Sequence, residues 1–122
     1  MILLHPTKVI DTEFSSAGEI GGYNLSNNKI VTFDIDVTII LTGAPGNGTI
    51  GRGRFTVFAH RYGGDAIIDS QYTIVPLETP GNLVGSSIAF NVSGARILAT
   101  FTPPAGRTVM LMSTINITTA QD

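Results

Sequence analysis

From Val31 to Leu41 the chain alternates with a period of two. Val31, Phe33, Ile35, Val37, Ile39 and Leu41 hold one parity, while Thr32, Asp34, Asp36 and Thr38 hold the other, Ile40 being the exception. Successive side chains of an extended strand point to opposite faces, so a run sustained this long is a strand dry on one side and wet on the other. A helix would need its apolar residues three and four apart. No window of helical length offers that spacing without a Gly, a Pro or a β-branched run intervening, so any helix here is a single short turn.

The same reading extends along the chain. Ala44-Pro45-Gly46-Asn47-Gly48 is a turn, and Thr49 to Tyr62 forms a second long strand. In that strand Phe55, Val57 and Ala59 oppose Arg54, Thr56, Phe58, His60 and Tyr62. The pair Gly63-Gly64 is a hairpin signal. Ala66 to Val75 is a third strand, stopped by Pro76, and Thr79-Pro80-Gly81-Asn82 is a turn or loop. Ser87 to Val92 places Ile88, Phe90 and Val92 inward, and Arg96 to Thr102 does so with Ile97, Ala99 and Phe101. Arg107 to Thr118 aligns Val109, Leu111, Ser113, Ile115 and Ile117.

Residues 1–10 read as a short strand kinked at Pro6. Residues 11–28, with Gly21-Gly22 and Asn27-Asn28, read as a long irregular connection. Each strand carries one apolar row that a single open sheet would leave in water, so two packed antiparallel sheets are the economical solution. The predicted fold is all-β: an antiparallel β-sandwich or jelly roll of about seven or eight strands with little or no helix. Its organisation is an N-terminal strand and irregular arm over 1–28, followed by a sandwich domain over 29–122. Composition agrees, since 15 Ile, 15 Thr and 8 Val supply the β-branched side chains that suit a pleated surface.

Composition also narrows the functions. Seven Lys and Arg against nine Asp and Glu leave a net charge of −2, with 13% of residues charged, which speaks against a nucleic-acid binder that coats phosphates. With no cysteine there is no disulfide framework, thiolate zinc site or thiol nucleophile. Met1-Ile2-Leu3-Leu4 is apolar, but His5-Pro6 ends it with neither a preceding basic residue nor a following cleavage site, so it does not read as an address. Continuous apolar runs such as Ile39-Ile40-Leu41 are far short of a membrane span.

The candidate chemistry is sparse. Gly46-x-Gly48-x-x-Gly51 matches the dinucleotide-binding string, but that motif needs a following helix whose amides face a pyrophosphate, and a β-rich stretch follows here; it reads as a hairpin loop. Asp34-x-Asp36 puts two carboxylates on one face of a strand, either as a hard-cation or acid–base pair or as solvated strand charges; the second reading is adopted. His60, beside Arg61 and Tyr62, could be combined with Asp65 or Asp69 and a serine, but no serine stands in a nucleophile elbow. His5 and His60 alone are too few nitrogens for a zinc site. Arg52 and Arg54 share a face, and Arg96 and Arg107 open later strands; phosphate or anionic-glycan binding and inter-subunit ion pairing are the alternatives. The Asn-x-Ser/Thr tripeptides at Asn24, Asn47, Asn91 and Asn116 carry no weight without a secretory signal. No catalytic residue, cofactor or metal ligand is assigned.

Four segments carry a resemblance: Thr32-Phe33-Asp34-Ile35-Asp36-Val37, Gly51-Arg52-Gly53-Arg54-Phe55-Thr56-Val57-Phe58-Ala59, Ala89-Phe90-Asn91-Val92-Ser93-Gly94-Ala95 and Val109-Met110-Leu111-Met112-Ser113-Thr114-Ile115. Through them the stretch from about Val31 to Thr119 resembles the small β-sandwich modules of tailed-bacteriophage virions, which occur in tail fibres and as capsid decoration (cement) proteins. Where tail-fibre modules commonly place a Trp in the closing strand, Met110 or Met112 stands here. The resemblance implies a non-enzymatic virion protein, a homotrimer assembled in the host cytoplasm. Its partners would be its own copies and the major capsid protein or another virion protein, with neither nucleic acid nor membrane. A low-charge chain with a Thr- and Ile-rich surface suits broad dry contacts of that kind.

The chain reads as complete from Met1, without room for a fibre shaft, and the 1–28 arm suits a cement protein that lays it across neighbouring capsid subunits. The expected role is therefore capsid decoration, with Phe14, Ile20, Tyr23, Arg52 and Arg54 as interaction residues. The alternative is a tail-fibre or tail-tip receptor module recognising a cell-surface glycan through an exposed loop.

Overall fold

The computed structural model describes residues 2–121, so Met1, at the head of the predicted first strand, lies outside them. The described residues form nine strands: β1 (Ile2–Leu4), β2 (Lys8–Phe14), β3 (Gly18–Asn24), β4 (Lys29–Thr42), β5 (Ile50–Arg61), β6 (Ile67–Val75), β7 (Ser87–Ser93), β8 (Arg96–Thr102) and β9 (Thr108–Gln121). A single 3-10 turn, Gly81–Leu83, is their helical content. The protein is an all-β sandwich of two antiparallel sheets, as its alternating rows require.

The larger sheet runs β1-β9-β4-β5-β6, with β2 also paired to β9; the smaller runs β3-β8-β7. β1 and β2 lie end to end along one edge of β9, on Thr118–Ala120 and Val109–Ile115 respectively. Pro6 has no N–H to give the ladder and falls in the gap between them. There the His5 N–H donates to the Ile117 carbonyl at 3.0 Å, which keeps the two halves in line.

The predicted inward rows form the core. Val31, Phe33, Ile35, Val37, Ile39 and Leu41 of β4, Phe55, Val57 and Ala59 of β5, and Val109, Leu111, Ile115 and Ile117 of β9 are all buried. The smaller sheet answers with Ile20, Ile97, Ala99 and Phe101. Rings meet edge-on across the sandwich, Phe14 with Phe101 at 5.6 Å and Tyr23 with Phe33 at 6.2 Å between centroids. Each such side chain contributes about 1.5–3 kcal/mol by leaving water, which is why these rows decide the fold.

One prediction is corrected. Residues 11–28 are not an irregular connection: β2 continues to Phe14, and β3 is an edge strand of the smaller sheet, paired with β8 from Gly18↔Phe101 to Asn24↔Arg96. The glycines that suggested turns serve close approach instead. A Cβ on Gly21 would fall 2.1 Å from Ile115 Cδ1, and one on Gly18 2.7 Å from Phe14 Cε1. The Gly46/Gly48 string does lie in the β4–β5 hairpin, with φ of +91° and +89° that other residues resist.

Candidate functional site

The larger sheet has one face in the core and one in water, and register fixes what the outer face carries. One row crosses the sheet as Ile2, Ala120, Ile30, His60 and Ile67. The next runs Leu4, Thr118, Thr32, Phe58 and Ser70, and the next Asn116, Asp34, Thr56 and Tyr72. Beyond these, the row through Thr114, Asp36, Arg54 and Val75 begins the charged end of the face. Apolar side chains therefore gather at one end: Ile2 is 73% exposed, Leu4 77% and Ile30 60%, and Phe58, Ile67 and Tyr72 are exposed beside them.

Phe58 and Tyr72 meet edge-on at 5.8 Å. Tyr62, immediately past β5, is 78% exposed. An open cleft of about 280 Å³ lies at this end, lined by Asn28, Ile30, His60, Tyr62 and Ala120 among others. His60 Nδ1 is 2.8 Å from both oxygens of Asp69. An ionised carboxylate only accepts, so the Nδ1 proton is donated to Asp69 and a neutral ring keeps Nε2 as an acceptor. Asp69 reaches this position because β6 bulges there, its register slipping between Phe58↔Ser70 and Ala59↔Ile68.

The sequence-predicted residues are scattered. Phe14 and Ile20 are core side chains, and Tyr23 packs against the core between His5 and Phe33. As contact residues Phe14 and Ile20 would require the sandwich to open, because the arm that was to expose them is folded into the two sheets, whereas Tyr23 is half-buried and keeps part of its surface. Arg52 and Arg54 do reach the outer face, on either side of Gly53, with Asp36 3.5 Å from Arg54 and the Glu78 carboxylate accepting from the Arg52 backbone N–H at 3.2 Å. Asp34 accepts from the Thr56 hydroxyl at 2.7 Å, and both aspartates of the Asp34-x-Asp36 pair are thus engaged with neighbouring side chains.

Arg96 forms a two-pronged pair with Glu19 that ties β8 to β3, and this hydrogen bonding holds the Glu19 carboxyl below its ordinary range and raises Arg96. Arg107 donates to the Gly43 and Pro45 carbonyls and so secures the β4–β5 loop. Among the described residues, no group of three or more His, Cys, Asp or Glu comes together that could hold a metal ion. Also among them, no helix is long and apolar enough to cross a membrane.

Of the outer-face aromatics, Tyr62 was named from sequence beside His60, whereas Phe58, on the wet parity of β5, was not singled out. Tyr72 joins them through the register of β6, which also decides that Asp69, of the two aspartates named from sequence, is the one that meets His60.

Fold and surface together define a small β-sandwich module with one exposed, partly aromatic sheet face. No protein-family model matches the sequence, and no curated protein matches it. Two solved structures to which it is similar are both phage tailspikes. One is the tailspike protein of Acinetobacter baumannii phage AM24, at 10% identity and a TM-score of 0.48, over 96% of this chain and 26% of that one. The other is the tailspike protein gp49 of Acinetobacter baumannii bacteriophage Fri1, at 13% identity and a TM-score of 0.31, over 94% of this chain and 19% of that one. The chain thus spans about a quarter or less of either protein. The Fri1 protein is described as a capsular polysaccharide depolymerase, an enzyme. That finding corrects the expectation of a non-enzymatic chain, because the proteins this sandwich resembles include one that does chemistry.

Proposed function

We propose that the chain is a module of a phage tail, of the tail-fibre or tailspike kind, and that it works through the outer face of its larger sheet. The observation that carries this reading is the gathering of Ile2, Leu4, Ile30, Phe58, Ile67 and Tyr72 in adjacent outer rows, exposed, in a chain whose core is already complete on the opposite face. Exposed apolar surface on this scale marks a binding or joining surface. The partners proposed for it are further copies of the chain in a homotrimer, neighbouring virion proteins and a cell-surface glycan.

The capsid-decoration reading rested on a free 1–28 arm lying across a shell. Because β1, β2 and β3 are paired into the two sheets, the physical support for that role is withdrawn and the tail reading is preferred.

The test is immunogold labelling of intact phage particles with antibodies raised against this chain. Gold on the tail is the expected result. Gold spread over the head, or particles that carry no label, would overturn the reading. Light scattering should give about three times the 12.9 kDa chain mass for the homotrimer.

A further inference from the structure

We propose that β7 is a docking edge for β7 of a second copy of this chain, the two joined antiparallel about a twofold axis at Phe90, so that two three-stranded sheets become one of six strands. This contact lies on the smaller sheet, away from the outer face of the larger one, and goes beyond the reading of that face.

An edge strand offers unpaired N–H and C=O groups to any strand that reaches it, and proteins blunt such edges with charges, prolines and bulges. The other edges of this sandwich are blunted. The β1–β2 edge has Pro6 in its gap and exposed Lys8, Asp11 and Glu13 along it. β3 is bulged between Glu19 and Gly21 and bears the Glu19–Arg96 pair. β6 slips register against β5 at two places and carries Asp69.

β7 has none of these devices. Ser87–Ser93 contains no charged residue, Gly or Pro, and it pairs with β8 along its whole length without a shift. Among the described residues, no backbone group outside β8 bonds to it. The backbone bonds at its two ends, Ser86 N–H to the Leu83 carbonyl and Ala66 N–H to the Gly94 carbonyl, fall outside the strand.

The sequence of the edge selects the partner. Ser-Ile-Ala-Phe-Asn-Val-Ser is nearly symmetric about Phe90. Antiparallel pairing with its own copy sets Phe90 opposite Phe90, Ile88 opposite Val92, Ala89 opposite Asn91 and Ser87 opposite Ser93. Aromatic and β-branched side chains meet their own kind across the strands, and no charge meets a like charge. In each copy Ile88, Phe90 and Val92 are half-buried against the core, while Ser87, Ala89, Asn91 and Ser93 are exposed. The apolar rows of the two copies therefore run into one another, and a slip of one residue would set apolar row against polar row.

A twofold contact cannot close a threefold ring, so this one is separate from the homotrimer. One strand pair also buries less than the roughly 1,200 Å² of a stable interface, so it joins copies that are already held close together.

The native chain has no cysteine, so introduced thiols report without background. Ala89→Cys and Asn91→Cys are made as separate full chains, one of them tagged, then mixed in concentrated solution and oxidised. The register sets these two positions about 4.5–5.5 Å apart across the axis, within disulfide range, and like positions about 8 Å apart, outside it. On a non-reducing gel, covalent pairs of unlike chains should exceed the like pairs formed by either variant alone at least about tenfold. Adding Ser87→Lys and Ser93→Lys to both chains sets ammonium groups opposite one another and should cut the yield of unlike pairs about tenfold. Unaltered far-UV circular dichroism would show that the variants fold. Absence of covalent pairs, like pairs as abundant as unlike ones, or indifference to the lysines would each overturn the proposal. None of these outcomes bears on where antibody labels the particle, so the contact and the tail reading stand or fall separately.

Discussion

Both carboxylate oxygens of Asp69 lie 2.8 Å from Nδ1 of His60, across the bulge that sets β6 out of register with β5. The pair is about as exposed as a surface ion pair, with 34% of the His60 side chain and 46% of Asp69 open to water. Its contribution to stability is therefore small, under ~1 kcal/mol. Asp69→Asn should leave the unfolding midpoint nearly unchanged yet release the imidazole. The ring's NMR signals would report this as a change in tautomer balance and faster ring averaging. A large fall in stability would show that the pair braces the bulge.

Deleting residues 2–28 should abolish folding. The deletion removes β1, β2 and β3 and with them buried Phe14, Ile20 and Leu25, leaving the smaller sheet with two strands. Losing one large core side chain costs about 2–5 kcal/mol, and a domain has only about 5–15 kcal/mol in total. Circular dichroism of the truncated chain should show no cooperative transition. A sharp transition would mean that the segment is an appendage.

The interior of this sandwich was legible from sequence and its near edge was not, for a reason visible at β3. On β4, β5, β8 and β9 an uninterrupted alternation marks the inward row, and those rows are buried as predicted. On β3 the inward row holds Ile20 beside Gly18 and Gly21, which admit Phe14 and Ile115 to within reach of the backbone, and a bulge after Glu19 breaks the alternation. A glycine chosen for close approach is indistinguishable in a sequence from one chosen for a turn. The outer-face site divides in the same way: His60 was read with Tyr62 and with Asp65 or Asp69 as partner, but the choice of Asp69 and the meeting of Phe58 with Tyr72 depend on where β6 slips, which no local pattern encodes.

That glycine argument has a direct check. Gly21→Ala would put a methyl 2.1 Å from Ile115 Cδ1, and overpacking of this kind costs about 1–3 kcal/mol. Ile115→Val removes the obstructing atom, so Gly21→Ala/Ile115→Val should be less destabilised than the sum of its parts. Urea denaturation of the four proteins measures the coupling. Strict additivity would show that β3 simply moves aside.

The Glu19–Arg96 pair makes a pH prediction. Hydrogen bonding from Arg96 holds the Glu19 carboxyl below its ordinary range, so the folded state binds that proton less readily than the unfolded chain. The pair's stabilisation is thus fully present above the unfolded value and is lost as pH falls through the lowered folded one. Both side chains are more than a third exposed, which limits the effect at neutral pH to under ~1 kcal/mol. Glu19→Gln should lie slightly below the wild type in stability at pH 7 and converge with it in strong acid. Parallel stability curves across the acid range would show that the pair is not felt in solution.

Ser113 provides the last test, from inside the core. It is fully buried in the inward row of β9, between Ile10 on β2 and Val37 on β4, and its hydroxyl has no hydrogen-bond partner among the described residues. A buried hydroxyl without a partner carries its desolvation cost, of order 1–3 kcal/mol, with nothing to offset it. Ser113→Ala removes the hydroxyl and keeps the Cβ, while the oxygen's lost packing returns a fraction of the gain. The midpoint of urea unfolding should therefore rise by the equivalent of ~0.5–1 kcal/mol with an unchanged denaturant slope. A fall in the midpoint would mean that the hydroxyl is satisfied in solution, and the inward row of β9 would then hold a polar contact essential to the sandwich.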